Sequence, residues 1–520
     1  MQTRNNIITT ILLALGCFAL CQQVQSATDT PDPGPLPVSN TADGQNALLS
    51  ITTGIHNTAI GFDSLLSNTD ANFNTAVGSV TLLLNTGTEN TAIGAGALLS
   101  NSAGEGNTAN GAFTLFLNTE GSDNTAIGDQ ALFNNTTGSD NAATGAFALL
   151  SNTTGEANTA MGDSALLSNT TGSSNTANGA LALLANTTGE SNTATGDNAL
   201  AGNTTGSLNT ANGVAALVNN TTGGENTATG VSALAGNTTG NENTATGVAA
   251  LSNNTQGSSN TATGLSTLHD NTVGSSNTAA GDHALFENIV GNGNTAVGAG
   301  TLSSVAAGSS NTALGENAGH NLFKSDSNNI DIGADVEGVA GESNTIRIGN
   351  PDITTSVIRG ISGATIPSGA AVLVAANGQL GTATSSKRFK NDIQPMDKAS
   401  EALFSLKPVT FRYKKEIDPV GTRQFGLVAE DVEKLNPDLV VRDERGQINS
   451  VRYDQVNAML LNEFLKEHRK VQEQEALIAQ LKKEMARVVV RLKEQDANIQ
   501  RVNDRIELGM SLPKLTGNDQ

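Results

Sequence analysis

Asn158-Thr-Ala-Met-Gly-Asp-Ser-Ala-Leu-Leu-Ser-Asn-Thr-Thr-Gly-Ser-Ser174 is one copy of a unit that fills most of this chain. Asn-Thr-Ala-x-Gly, or a near copy, begins at Asn57, Asn74, Asn90, Asn107, Asn124, Asn141, Asn158, Asn175, Asn192, Asn209, Asn226, Asn243, Asn260, Asn277, Asn294 and Asn311, every step equal to that from Asn158 to Asn175 except Asn74 to Asn90, which is one shorter. A unit this short cannot bury an apolar face alone, so a fixed period of this kind specifies a solenoid whose coils stack on one another. Each copy carries two turn signals, Gly162 and the Asn169-Thr170-Thr171-Gly172 cluster. That leaves room for two short strands per coil, Thr-Ala-x and Ala-Leu-Leu. Ala160, Ala165 and Leu166 are expected to point inward, giving a thin core of small residues. Coils at ~4.8 Å spacing would set Asn over Asn and Thr over Thr in a rod roughly 75 Å long. Asn-Thr-Thr is formally a glycan acceptor. Turn chemistry is the preferred reading of these asparagines, because Asn and Gly recur where left-handed backbone is needed.

Composition agrees with a small-residue core. The chain has 520 residues with 56 Gly, no Trp and 3% aromatics, too few bulky side chains for several conventional cores. Residues 1–26 read as a secretory signal, with Arg4, an apolar run from Ile7 to Leu20, and Val24-Gln25-Ser26 before a cleavage near Ala27. Both cysteines, Cys17 and Cys21, fall inside it, so a mature chain would have no thiol chemistry. A lipoprotein reading through Cys17 is the alternative, with Ala14 a poor residue three places before it. No later stretch is long and apolar enough to span a bilayer as a helix, and no membrane anchor is expected after signal removal. The expected location is extracellular or at the cell surface, with the periplasm as an alternative.

Charge divides the chain near residue 385. Residues 27–384 carry 27 acids and only Lys324, Arg347 and Arg359 as bases, whereas 385–520 carry 22 acids and 24 bases. The acidic part excludes nucleic acid as its partner and keeps fibres soluble by like-charge repulsion. No cofactor-binding loop is present, and the five histidines (His56, His269, His283, His320, His468) are too scattered for a metal site.

Past the repeats, Asn344-Thr-Ile-Arg-Ile-Gly-Asn350, Ser356-Val-Ile-Arg-Gly-Ile-Ser362 and Ala371-Val-Leu-Val-Ala-Ala-Asn-Gly-Gln-Leu380 read as strands, the last with a hairpin turn at Asn377-Gly378. From Leu460 an apolar heptad runs through Phe464, Val471, Ile478, Met485, Leu492, Ile499 and Ile506. Its second seam is Leu460, Glu467, Gln474, Leu481, Val488, Gln495 and Val502, and no Pro or Gly interrupts it. This predicts a coiled coil, with three strands compatible. The fold expected is therefore mainly β. A signal (1–26) and linker (27–50) precede a parallel β-solenoid or β-roll (51–320) and a β neck (321–384). A small α+β core (385–458), a coiled-coil helix (459–508) and a tail (509–520) follow.

The repeats resemble the head segments of trimeric autotransporter adhesins, which implies left-handed parallel β-rolls in a three-chain bundle. The period here is longer than usual for those heads, and their C-terminal membrane β-barrel has no counterpart here. A second resemblance rests on Ser385-Ser-Lys-Arg-Phe-Lys-Asn-Asp-Ile393, Leu406-Lys-Pro-Val-Thr-Phe-Arg-Tyr413, Phe425-Gly-Leu-Val-Ala-Glu-Asp-Val432, Asn436-Pro-Asp-Leu-Val440 and Val451-Arg-Tyr-Asp-Gln-Val456. In this order, before a long helix, they resemble the intramolecular chaperone auto-processing domain of phage endosialidase tailspikes, other tail fibres and myelin regulatory factor. That resemblance implies a homotrimer that assists folding of the stalk before it and then cuts itself off with a Ser-Lys dyad. The family's Ser-Asp-x-Arg-x-Lys motif aligns Ser385 as nucleophile and Lys390 as general base, with the scissile bond at Thr384-Ser385. Ser386 replaces the family's Asp and is an alternative nucleophile. Arg388 supplies the positive charge that would favour a neutral lysine. Two other readings stay open: an uncleaved fibre with this domain as a permanent trimer clamp, and a solenoid that is itself an enzyme. The repeats lack clustered Arg, Glu and Tyr, which weighs against the enzyme. Any cell-surface or glycan ligand is unknown from the sequence.

Overall fold

The computed structural model describes residues 39–358, 371–375, 377–443 and 445–510. The expected signal peptide, with Cys17 and Cys21, lies outside the described residues, as do 359–362 of the second neck segment and residues 511–520. Two compact units divide at Val357–Ile358. Among the described residues no helix is long and apolar enough to cross a membrane.

The first unit is a parallel β-solenoid with one three-residue strand per coil. Nineteen strands, from Thr41–Asp43 to Ile346–Ile348, form a single parallel ladder. The ladder thus starts before residue 51 and continues past residue 320. Pairing is in register throughout, as in Thr159↔Thr176, Ala160↔Ala177 and Met161↔Asn178. Partners lie one full repeat apart in sequence, except that Thr75↔Thr91 and Ile330↔Ile346 fall one residue short and Thr312↔Ile330 runs one residue long.

The core is the one expected. Ala160, Ala165 and Leu166 and their equivalents are buried in a continuous column from Ala47 to Leu322. Burying one Leu is worth only about 1.5–3 kcal/mol, whereas fixing one residue's backbone costs about 1–2 kcal/mol. A single coil therefore cannot order itself, and the stack is the folding unit.

Two local expectations are corrected. Ala-Leu-Leu is not a second strand. Gly162, Ser164 and Leu166 have φ of 139°, 57° and 54°, so left-handed and right-handed residues alternate and curl the chain into a series of turns. A side chain in that region costs roughly 1–2 kcal/mol, and the compensation is hydrogen bonding between coils. Ser164 N donates to Ala146 O (2.9 Å), Leu166 N to Ala182 O (3.0 Å) and Ser168 N to Leu184 O (3.0 Å).

The asparagines are not the left-handed residues either. In this coil those residues are Ala157, Ser164, Leu166 and Ser174, beside Gly162. Asn158 and Asn169 are fully buried and form ladders. Asn158 Nδ2 donates to Asn141 Oδ1 (3.1 Å) and Gly172 O (2.9 Å), while Asn169 Nδ2 donates to Asn152 Oδ1 (2.8 Å) and Gly172 O (2.8 Å). The amides of Asn158 and Asn169 are satisfied in this way by the protein itself. The same burial takes Asn169 of the Asn-Thr-Thr sequon out of reach of a glycan in the folded coil.

The last rungs break the pattern. The inward position held by Ala313 is taken by Asp331 and then by Arg347. Asp331 is 1% exposed, and neither carboxylate oxygen has a protein partner. Burial pushes its carboxyl up to about 6, against the opposing pull of the Arg347 charge.

In the second unit, the hairpin expected around Asn377-Gly378 pairs Val372–Val374 with Leu380–Thr382, Gly378 taking φ 80°. Val409–Phe411 pairs antiparallel with Gln424–Gly426, and Val440–Arg442 with Ile448–Val451. A short helix, Ala429–Leu435, packs on the second pair, and one helix of 58 residues, Tyr453–Met510, ends the described chain.

Candidate functional site

The chain around Ser385 is shaped by a single turn of 3₁₀ helix, Lys387–Phe389. Ser386 caps it in extended conformation (φ −66°, ψ 139°) and accepts Phe389 N through its carbonyl at 3.0 Å. The turn carries Lys390 back over the residue five places before it. Lys390 Nζ donates to Ser385 Oγ at 3.2 Å. The Arg388 guanidinium lies over the Phe389 ring, 4.5 Å from its centroid, as a cation–π pair. Thr384, Ser385, Ser386, Arg388 and Lys390 are all exposed in the single chain. The structure thus brings together two of the residues singled out from the sequence, directs Arg388 to Phe389, and leaves the Ser386 side chain without a capping bond.

The folded core of this unit is small. Val432, Leu439, Val440, Val451 and Met459 are its buried members. Large apolar side chains of this unit stay in solvent, among them Phe389 and Ile393 (each 58% exposed) and Phe425 (76%). All seven residues of the first heptad seam, from Phe464 to Ile506, are exposed on the long helix. A single copy of this unit leaves apolar surface uncovered on a scale that marks an interaction surface.

One polar cluster was not anticipated. Ser400, fully buried, donates to the Glu463 carboxylate and accepts from Asn462 Nδ2 (2.7 Å) and Lys466 Nζ (3.3 Å). Lys466 also bonds Glu463 at 2.6 Å, and its ammonium, then the Ser400 hydroxyl, hold the Glu463 carboxyl below its usual range. This knot fixes the 3₁₀ segment Asp397–Ser405 to the start of the long helix. The i,i+3 pair Glu463/Lys466 was its one sequence signal. Tyr453 plays a similar part at the other edge, its hydroxyl accepting Leu427 N at 3.0 Å.

Among the described residues no group of three or more His, Cys, Asp or Glu is placed to hold a metal. His269 stacks on Phe286 and His283 meets the same ring at a tilt, each ring centroid 5.1 Å from it.

Comparison with curated proteins and with solved structures finds no match. A family model does match, over residues 385–441, beginning at Ser385 and covering four of the five ordered segments. The fifth, Val451–Val456, and the heptad helix lie beyond it. That family is described as chaperone of endosialidase, so a domain of the endosialidase-chaperone kind follows the β-solenoid in this chain.

Proposed function

We propose that this chain is an exported, homotrimeric, adhesin-like fibre whose C-terminal domain aligns three chains, assists folding of the solenoid and then cleaves itself off between Thr384 and Ser385. The observation that carries this reading is the Lys390 Nζ to Ser385 Oγ bond at the first residue of the family match. In the proposed step the neutral Lys390 amine takes the Ser385 hydroxyl proton while Oγ attacks the Thr384 carbonyl carbon. The Thr384–Ser385 C–N bond breaks, the Ser385 nitrogen leaves as an amine carrying the proton, and water releases the Thr384 carboxylate from the ester.

The step needs a deprotonated lysine, the form that desolvation favours. Covering by neighbouring chains would supply that desolvation, and the exposed Phe389 and Ile393, close to Lys390 in sequence, are apolar surface available for such a contact. Cleavage is accordingly coupled to assembly. The alignment role has a physical basis in the repeat, because near-identical coils pair equally well when shifted by one unit. A trimer of the helix that follows the solenoid in the chain sets the shift to zero before the coils lock in place.

Mass spectrometry of the secreted product under native and denaturing conditions tests both parts. Fragments ending at Thr384 and starting at Ser385, lost in Ser385→Ala and in Lys390→Gln, are expected. Intact wild-type chains in a native trimer would favour the permanent clamp instead, a reading supported by Ser386 at the family's Asp position. A monomer would overturn both.

A further inference from the structure

The Thr-Ala-x strands present two columns of side chains outward, one on each side of the buried Ala. The first column is Thr in every rung from Thr58 to Thr312 except Ala142. The second runs from Ile60 to Leu314 and becomes hydroxyl-rich at its centre, with Thr195, Asn212, Thr229, Thr246 and Thr263 in successive coils, all exposed. Between Thr193 and Thr263 four of five rungs are therefore Thr-Ala-Thr.

In-register pairing turns these columns into a two-dimensional lattice. Its spacings are ~4.8 Å between coils and ~6.7 Å between the two Thr of one strand. None of these hydroxyls is bonded to the protein. A different Thr column is spent on structure: Thr170 Oγ1 donates to Thr187 O, and Thr187 Oγ1 to Thr204 O, each at 2.9 Å. The outward column has no such task. From Thr58 to Leu314 the face also holds no charged residue, in a chain of net charge −21.

We infer that this face binds ice. A hydroxyl both donates and accepts, and a β-branched side chain holds its χ1 with little entropy left to lose. Repeated on a rigid ladder, such groups hold water at fixed intervals in two directions, spacings commensurate with the oxygen rows of a hexagonal ice surface. The Thr methyls fill the gaps between rows. Each contact is weak, and many at once on a pre-organised array are not. A charged side chain would hold its own hydration shell out of the lattice, which accounts for the missing charge. A crystalline polysaccharide would call for aromatic platforms, and the solenoid's stacked rings, such as Phe116 on Phe133, stand outside these two columns. Nothing in this inference depends on the C-terminal unit, because the solenoid core closes within one chain.

The test grows ice slowly through a solution of the full chain and measures protein in the ice and in the liquid. We expect the wild-type chain to enter the ice. The pair Thr229→Tyr/Thr246→Tyr, in a column that already accepts Met161 and Ile127, should fall to the level of an inert protein. The control pair Thr222→Tyr/Thr239→Tyr, on exposed positions outside the two columns, should match wild type. Exclusion of the wild-type chain from ice overturns the inference by itself. Equal incorporation of both variant pairs overturns it as well.

Discussion

Asp331 and Arg347 are register partners at the inward position of the last two rungs, yet the Arg347 guanidinium is bonded to Glu342 and leaves the Asp331 carboxylate alone in the core. The Arg347–Glu342 pair is bidentate. The carboxyl of Asp331 is consequently easier to bury as the neutral acid.

The sign of its pH effect follows. The folded value is raised from 3.8 to about 6, so the stability associated with neutral Asp331 is fully present below pH 3.8 and is lost as pH rises through about 6. The loss amounts to at most about 3 kcal/mol, at 1.36 kcal/mol per unit. Thermal unfolding of wild type and Asp331→Asn between pH 3.5 and 7 measures it. The Asn variant should lack this slope, and an unchanged slope would remove Asp331 as its source.

Asn220 sits in mid-ladder, donating to Asn203 Oδ1 (2.7 Å) and Gly223 O (2.9 Å) and accepting from Asn237 Nδ2 (2.8 Å). Asn220→Ala leaves buried partners unsatisfied above and below, at a cost of about 1–3 kcal/mol each. Because coils touch only their neighbours, the damage should be local. Hydrogen exchange is expected to speed up in the coils around residue 220 and stay unchanged near residue 100.

Gly230 has φ 134°, and a Cβ there would lie 2.4 Å from Gly247 O in the next coil. Gly230→Ala combines backbone strain with a clash against carbonyl oxygen. Gly224→Ala meets its nearest atom, Ser207 O, at 3.0 Å without positive φ. The first variant should melt well below wild type and the second close to it, as read by circular dichroism.

Ile478 and Leu492 are 51% and 54% exposed on the heptad seam of the long helix. A buried unpaired charge is strongly unfavourable, so Ile478→Lys/Leu492→Lys should shift the native mass from trimer towards monomer and suppress cleavage with it. The exposed pair Glu475→Lys/Lys482→Glu, off both seams, serves as control. Retained trimer in the seam variant would exclude this face as the contact.

The solenoid core was legible because Ala160, Ala165 and Leu166 recur with the turn signals between them, and period alone determines which side chains can meet. The asparagine ladder was legible as a stack but not as to cause. Asn is both the usual left-handed residue outside Gly and a self-complementary amide, and only burial separates the two roles. The left-handed Leu166 had no signal at all, since an apolar pair between turns reads as a strand. Ser385 and Lys390 stood out through motif order, whereas the Ser400–Glu463 knot joins residues 63 positions apart that no local pattern connects. Asp331 was hidden in a segment where the repeat had already dissolved.

Because most interior coils offer their neighbours the same asparagine amides, backbone groups and Leu, removing or adding one whole repeat among them leaves two faces that still fit. Unequal recombination within the gene can then lengthen or shorten the fibre in increments of ~4.8 Å without inventing a new contact. Reach becomes a quantity set by copy number, adjustable across generations while the irregular terminal rungs at Asp331 and Arg347 remain in place.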